Sequence, residues 1–442
     1  MNNVFFIPVG TYFNESADAC FMAYAPLKNK FFLLTPSEAS KMRSQLERGE
    51  DVSVGGESLL TTEPSLPEID TDTFVTLHIL LNEKCNFHCT YCYSAQGRSN
   101  VELTFEQIEP VLRWFLSSGN KSPQKRTIMF MGGGEPTLSW SKLVSATDAA
   151  KHIAQEQGIT VNFQLTTNGS IMNETMLTFL AENHFMVQVS FEVLPDVQES
   201  QRGTYKKVAK TLNRLAEFEI DHYVRATITP LNVDRIPEMV EWCHSQFPKL
   251  TKLSCQQVVD PGYFTSPSVV DAFFNRYFHS FKKGELVAKQ HGLTLRSSAS
   301  HLIDYSQRDR FCFNLAVLTP YGTLTTCPDV SSPNEEDYSA SVFGNVKDGQ
   351  VVFDYAAFER LTCGNIHYYD ACKECFARWN CGSGCPSTRR VYTPEIFDAI
   401  CSFYRSMLVQ GLMERLATIF HQNTGKDLYE TISSKLCATN NL

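Results

Sequence analysis

From residue 85 to residue 92 the chain reads Cys-Asn-Phe-His-Cys-Thr-Tyr-Cys, three cysteines at C-x3-C-x2-C spacing. The stretch follows directly on an apolar, strand-like run, Phe74-Val75-Thr76-Leu77-His78-Ile79-Leu80-Leu81. Thiolates are the usual protein ligands of an iron–sulfur cube, which has four irons to satisfy. Three closely spaced cysteines hold three irons and leave the last without a protein ligand. Such an iron is free to take a substrate or cosubstrate, which a closed electron-transfer cluster cannot do. A zinc knuckle is the alternative, with His88 as fourth ligand. Zinc, however, favours paired C-x2-C or Cys/His sets with four protein ligands, and a histidine between two cysteines is awkwardly placed for it.

The other cysteines point the same way. The chain has 15 of them in 442 residues, and no secretory signal precedes them, since Val4–Pro8 is too short and lacks a basic flank. A disulfide framework is therefore disfavoured, and metal binding in a reducing cytoplasm is favoured. Eight of the cysteines fall between 312 and 401, whereas Cys20, Cys243, Cys255 and Cys437 stand alone and read as ordinary thiols. A net charge of −9 without any basic run makes nucleic acid a poor partner. No apolar run approaches the ~20 residues of a membrane span, so a membrane is not an expected partner either.

Residues 1–72 read as an N-terminal extension and linker. Cys20–Tyr24 and Lys30–Leu34 are two short strands joined by a turn at Pro26–Asn29, and Thr35-Pro36-Ser37-Glu38 is a helix start with a capping box. Gly55–Asp72, rich in Ser, Thr, Glu and Pro, is the linker. From 73 to 259 six apolar runs (73–81, 126–131, 160–166, 186–191, 222–229 and 252–259) alternate with helical patterns such as Phe105, Ile108, Val111, Leu112 and Phe115. Six β/α units predict an α/β fold with a parallel sheet, curved or doubly wound, and a site at the carboxyl ends of its strands. Polar motifs fall at those ends: Gly132-Gly133-Gly134-Glu135-Pro136, Thr166-Thr167-Asn168-Gly169, Ser190-Phe191-Glu192 and Gln201-Arg202-Gly203. Residues 260–310 read as a bridging helical region, with its pattern around Val270–Phe281. Phe311–Leu318 and Leu324–Thr326, turning at Tyr321-Gly322, predict a hairpin between Cys312 and Cys327. After the cysteine-rich segment 311–401, residues 402–442 read as a closing helix, Phe403–Phe420, and a polar tail.

The Cys85–Cys92 stretch resembles the signature of the radical S-adenosylmethionine (radical SAM) superfamily, C-x3-C-x-(aromatic)-C, with Tyr91 as the aromatic. The resemblance implies a partial (β/α)6 TIM-like barrel. It also implies a cluster on Cys85, Cys89 and Cys92 whose open iron chelates SAM and splits it reductively to methionine and a 5′-deoxyadenosyl radical. Gly133, Gly134 and Glu135 resemble the motif that receives the SAM amino group. Asn168, Ser190 and Glu192 resemble positions near its ribose and carboxylate, although the family more often has aspartate at the last. Arg202 resembles the arginine that pairs with the SAM carboxylate. The pattern Cys312-x9-Gly322-x4-Cys327, Cys372-x2-Cys375-x5-Cys381-x3-Cys385 and Cys401 is similar to the SPASM extension, which carries two auxiliary [4Fe–4S] clusters, three in all. A rubredoxin- or zinc-ribbon-like module is the plainer alternative for Cys372–Cys385. Carried over residue by residue, Cys372, Cys375, Cys381 and Cys401 would close the distal cluster, and Cys312, Cys327 and Cys385 would hold the other. Some relatives have a further cysteine six positions after the first, where this chain has Leu318. That iron is then either open to a substrate thiolate or closed by Cys363, and Cys363 is the expected ligand.

These readings point to a radical SAM/SPASM oxidoreductase acting on a peptide or protein, served by a flavodoxin- or ferredoxin-type electron donor. Ribosomal peptide maturation by thioether or carbon–carbon crosslinking or epimerisation leads. The N-terminal hairpin and helix resemble, in truncated form, the leader-peptide-binding modules of such enzymes, and a structural extension covering the barrel is an equal alternative. Formylglycine formation of the anaerobic sulfatase-maturase type is the runner-up. Those enzymes place an aspartate directly after the cysteine matching Cys327, whereas the order here is Cys327-Pro328-Asp329, which makes Asp329 the candidate acid/base. Oxidation of a small molecule is also open. A non-catalytic iron–sulfur carrier or sensor is the rival of another class, and it would need closed clusters and no SAM pocket.

Overall fold

The computed structural model describes residues 3–312 and 315–439. At the amino end β1 (Phe5–Pro8), β2 (Phe21–Ala25) and β3 (Lys30–Leu34) form an antiparallel sheet in that order. The β2–β3 turn ends on Asn29 in the left-handed region (φ 50°), which asparagine tolerates better than most residues. In α1 (Pro36–Glu47) the capping box forms as expected: the Thr35 hydroxyl accepts from the Glu38 N–H at 3.3 Å, and the Glu38 carboxylate accepts from the Thr35 N–H at 2.8 Å. One face of the sheet, with Ile7, Met22 and Tyr24, packs on Leu408, Leu412 and Met413 near the carboxyl end. The other, with Phe21, Ala23 and Leu34, closes on Ala39, Val52 and Leu59. The extension therefore lies over the cysteine-rich part of the chain. The linker carries a small hairpin, β4 (Ser53–Val54) and β5 (Glu57–Ser58), and is tied down beyond it. Glu63 accepts from Asn3 at 3.0 Å and pairs with Arg378 at 2.6 Å and His367 at 3.4 Å.

The barrel follows as β6 (Thr76–Ile79), α2 (Phe105–Phe115), β7 (Lys125–Phe130), α3 (Trp140–Gln157), β8 (Thr160–Thr167), α4 (Glu174–Glu182) and β9 (Met186–Ser190). It continues through α5 (Pro195–Gln201), α6 (Tyr205–Glu217), β10 (His222–Ile228), α7 (Ile236–Gln246), β11 (Lys252–Gln257), α8 (Pro267–Gln290) and β12 (Thr294–Arg296). All six expected strands are present and pair in parallel with their neighbours. β12 is a seventh parallel strand, supplied by a stretch read from the sequence as helical. Alternate residues, such as Val187, Val189, Val224, Ala226 and Leu253, are fully buried under the helices. Those between them face the lumen, as the two-residue period of a strand requires.

The sheet does not stop at β6. After β13 (Leu315–Leu318) and β14 (Thr323–Thr325) come α9 (Tyr338–Ser341), β15 (Val342–Lys347) and β16 (Gln350–Phe353). β13 pairs in parallel with β6, Leu315 opposite Thr76, and an antiparallel meander carries the sheet on to β16. The result is one 11-stranded sheet shared by the barrel and the cysteine-rich region. The β13–β14 hairpin turns at Gly322 (φ 74°), as the sequence predicts; Phe313 and Asn314 of that run lie outside the described residues.

Short helices follow: α10 (Tyr355–Thr362), α11 (Asp370–Lys373), α12 (Arg378–Cys381) and α13 (Pro386–Val391). The closing helix α14 (Pro394–Thr424) runs 31 residues, longer than expected because Thr393 and Pro394 start it ahead of Cys401. The expected polar tail is largely helical, α15 (Leu428–Thr439), with Tyr429 against Phe13; residues 440–442 lie outside the described residues. Among the described residues no helix is long and apolar enough to cross a membrane.

Candidate functional site

The cysteine loop hangs from the carboxyl end of β6 and is pinned by Phe87, which is buried in the barrel core. The glycine turn after β7 grips the backbone leading into it: the Gly134 N–H donates to the Asn82 carbonyl (2.8 Å) and the Glu135 N–H to the Lys84 carbonyl (2.6 Å). A Cβ on Gly134 would lie 1.9 Å from the Lys84 oxygen, so the glycine is required by this contact. Two nitrogens face the sulfurs, Asn168 Nδ2 at 3.9 Å from Cys85 Sγ and Arg98 Nη2 at 3.1 Å from Cys92 Sγ. Burial pushes the Cys89 and Cys92 thiols up. His88 is exposed.

Three of the polar residues singled out in the sequence are engaged with other groups of the protein. Glu135, expected to receive an ammonium group, is buried and already accepts four hydrogen bonds. They come from the N–H and hydroxyl of Thr137, the Thr167 hydroxyl and the Asn168 N–H, at 2.6 to 3.1 Å. A carboxylate has about four acceptor sites, so this one is saturated and straps the end of β7 to the end of β8. Glu192 is fully buried, held by the Tyr91 hydroxyl and the Thr227 N–H, and burial raises its pKa. Arg202 donates to the Tyr91 oxygen at 3.0 Å and lies 3.7 Å from Glu192. Tyr91, Glu192 and Arg202 thus form an inward-facing brace behind the cysteine loop. Ser190 ends β9, opposite Arg225 of β10.

The sequence offered no signal for Glu83 and Arg98, single charged residues in no motif. Glu83 is fully buried beside Gly133, both oxygens without a hydrogen-bond partner, and burial pushes it up to about 7. Ser331 is close enough to oppose that shift without reaching hydrogen-bond geometry.

At the other end of the chain a cavity of about 340 Å³ is lined by Cys372, Cys375, Cys381, Cys385 and Cys401. Burial and their mutual repulsion push Cys381 and Cys401 up to about 12. Cys312, Cys327 and Cys385 form a second group: burial raises Cys327 well above the ordinary value, with Asp329, Cys385 and Cys312 adding to it. Cys363 is not brought to that group. It ends α10 with its thiol turned back on the Arg360 carbonyl at 3.1 Å, beside Tyr368. That orientation lends no support to the expectation that Cys363 closes the second set. Among the described residues no three His, Cys, Asp or Glu side chains converge tightly enough for a single metal ion. A cube presents a separate iron to each thiolate and takes a wider set, for which the cavity has room. A thiolate buried this deeply needs a cation beside it, which a bound metal supplies as it displaces the thiol proton.

Asp329 is half-buried and raised by burial, opposed by Ser387, Arg225 and Arg390. Tyr93 faces it from the cysteine loop; 46% of its surface is accessible although it lies deep in the protein, so it lines the lumen. A second cavity, about 660 Å³, is lined by Thr76, Tyr305, Arg308, Phe311, Cys312 and Leu315. Thr76 and Leu315 are paired residues of β6 and β13, so this cavity meets the lumen where the two regions join.

Residues 79–243, from the end of β6 into α7, match the model of the Radical SAM superfamily, so this part of the chain is a Radical SAM domain. The cysteine-type anaerobic sulfatase-maturating enzyme of Clostridium novyi (strain NT) is 22% identical over 229 residues, 47% of this chain and 60% of that enzyme. The chain thus spans less than two thirds of that relative's length. Among solved structures, native anSMEcpe with bound AdoMet and Kp18Cys peptide superposes with a TM-score of 0.61 at 16% identity, over 78% of this chain and 99% of that one. SuiB of Streptococcus suis, bound to precursor peptide SuiA, gives 0.52 at 13% identity, over 90% and 98%. These likenesses establish the partial-barrel fold of radical SAM proteins.

Proposed function

We propose that this chain is a radical SAM/SPASM oxidoreductase that modifies a peptide, with Cys85, Cys89 and Cys92 holding the cluster that meets SAM. When bound, that cluster and SAM supply a 5′-deoxyadenosyl radical able to take a hydrogen atom from the substrate. The observation that carries the reading is the pairing of a three-thiol loop at the carboxyl end of β6 with a separate cysteine-lined cavity among the helices that follow the shared sheet. In this reading Cys372, Cys375, Cys381 and Cys401 hold a distal auxiliary cluster, and Cys312, Cys327 and Cys385 hold a nearer one. With Cys363 turned away, the nearer set is a ligand short, and Cys312 faces the cavity through which a substrate thiol would approach. Asn168 and Arg98 direct N–H groups at the sulfurs. The backbone of Gly132–Gly134, with Ser190, then offers the contacts for the methionine end that the saturated Glu135 does not.

The bound peptides of anSMEcpe and SuiB support a peptide substrate, and a flavodoxin- or ferredoxin-type protein is the fitting electron donor. Formylglycine formation is the second reading, favoured by Asp329 lying beside Cys327 and facing Tyr93 despite its one-residue offset. The deciding experiment is anaerobic reduction of the reconstituted chain with SAM and analysis for 5′-deoxyadenosine. Its formation is expected, and its absence from a preparation with full iron content overturns the proposal in favour of an electron carrier or sensor.

A further inference from the structure

We propose that the lumen selects an anionic stretch of its substrate, a peptide carrying aspartate or glutamate close to the residue that reacts; this rests on the peptide reading above. Strand alternation turns three cations inward from one wall. Arg225 lies between Val224 and Ala226, both fully buried under the helices, and Lys252 precedes the equally buried Leu253. Arg296 follows Leu295, whose side chain packs on Gly284 of α8, so Arg296 points the other way. Register makes them neighbours: Arg225 stands opposite Ser254, and Ser254 opposite Arg296. Lys252 completes the wall with its ammonium 4.1 Å from the centre of the Tyr223 ring.

Among the described residues none of the three makes an ion pair. Asp329 and Glu192 act on Arg225, and Asp221 on Lys252, only at longer range. Of the acids at the mouth of the larger cavity, Asp309 is paired with Arg310 at 3.2 Å and Asp304 lies 2.9 Å from the His301 ring. The β6–β13 pair adds no negative charge: His78 is neutral, its pKa pushed down to about 4 by burial, and Val317 beside it is apolar. In a protein of net charge −9 the β10–β12 wall of the lumen is thus a locally positive strip, with Asp329 and Glu192 as the acids near one end of it. Charges facing one another across such a cleft are screened less than on an open surface. A carboxylate entering it gains partners, whereas a lysine or arginine meets repulsion, and complementarity of this kind sets selectivity.

The test uses the full, anaerobically reconstituted chain and three fluorescein-labelled short synthetic peptides. Each has a central cysteine flanked by glutamates, by glutamines or by lysines, and binding is followed by fluorescence anisotropy. The glutamate peptide is expected to bind roughly tenfold or more tightly than the glutamine peptide, with the advantage shrinking as salt is raised. Arg296→Glu should erase the preference, Lys252→Gln reduce it and Arg296→Lys restore it, with iron content reporting correct folding. Equal binding of the glutamate and glutamine peptides by the unaltered chain, or preference for lysine, overturns the inference without depending on any variant. 5′-Deoxyadenosine is measured on the same preparation. If it forms while binding ignores charge, the lumen inference fails and the radical SAM reading stands; if it does not form, the reading fails and this inference with it.

Discussion

The loop from Cys85 to Cys92 holds its three sulfurs within eight residues and hangs from one strand, steadied by polar contacts from Gly134, Glu135, Asn168 and Arg98. The thiols of the C-terminal cavity come instead from α11, α12, α14 and the turns between them. Behind that cavity Cys375 and Cys381 pack against the N-terminal sheet, whose Tyr24 hydroxyl donates to Asn380 at 2.9 Å across 356 residues of sequence, and the neighbouring Trp379 is fully buried and donates to Asn3. The first arrangement leaves a position open where a ligand must come and go. The second seals its thiols with segments from the far end of the chain. Thiol chemistry that exchanges ligands is thus supported by a local polar scaffold, and thiol chemistry that does not is supported by burial.

That contrast can be broken at several levels. Replacing Cys85, Cys89 and Cys92 by alanine should abolish 5′-deoxyadenosine formation and remove about a third of the iron, if each thiol set carries one cube. Replacing Cys375 and Cys381 should remove a similar share of iron and leave SAM cleavage measurable. Product from the first variant, read by chromatography, would contradict the division of roles. Trp379→Ala should lower stability by about 3 to 5 kcal/mol and empty the distal cavity of iron before the loop loses its own, as followed by calorimetry with iron analysis.

Glu135→Gln faces an amide with donors where the carboxylate now accepts four. It should cost about 2 kcal/mol and loosen the loop, visible as slower cluster assembly at Cys85–Cys92 with distal iron unchanged. Tyr24→Phe should cost about 1 kcal/mol by leaving Asn380 without its donor. A much larger loss on chemical denaturation would mean that the N-terminal sheet seals the cavity through polar contacts more than apolar ones.

How far the sequence speaks depends on how local each feature is. The Cys85–Cys92 loop, the capping box at Thr35 and the turn at Gly322 each lie within a few residues, and their chemistry is complete in that window. β1 and β12, of 4 and 3 residues, are too short to show a period, and only pairing with neighbours makes them strands. Gly134 reads from sequence as room for a ligand. Its Cβ direction instead meets the Lys84 carbonyl, a contact set by how two loops dock. Glu135 and Glu192 are recognisable as strand-end carboxylates, yet the donors that saturate or bury them come from other strands. Cys363 is a matter of direction: its neighbours in sequence suggest a ligand, and the last turn of α10 points the sulfur elsewhere.

The pairing of β13 with β6 has a consequence for how the molecule can be taken apart. One strand, β6, is the ruler from which both cysteine regions are measured, since the loop at 85–92 leaves its end and the hairpin between Cys312 and Cys327 lies along its side. A slip of two residues between the two strands would shift one set of sulfurs against the other by about 7 Å. A slip of one would turn the buried side of β13 to the lumen. Separation is no easier, because excising the C-terminal part strips β6 of a neighbour and leaves two unprotected strand edges able to recruit other chains. The two regions therefore share one sheet, and a shortened version ending before β13 should aggregate rather than survive as a smaller barrel.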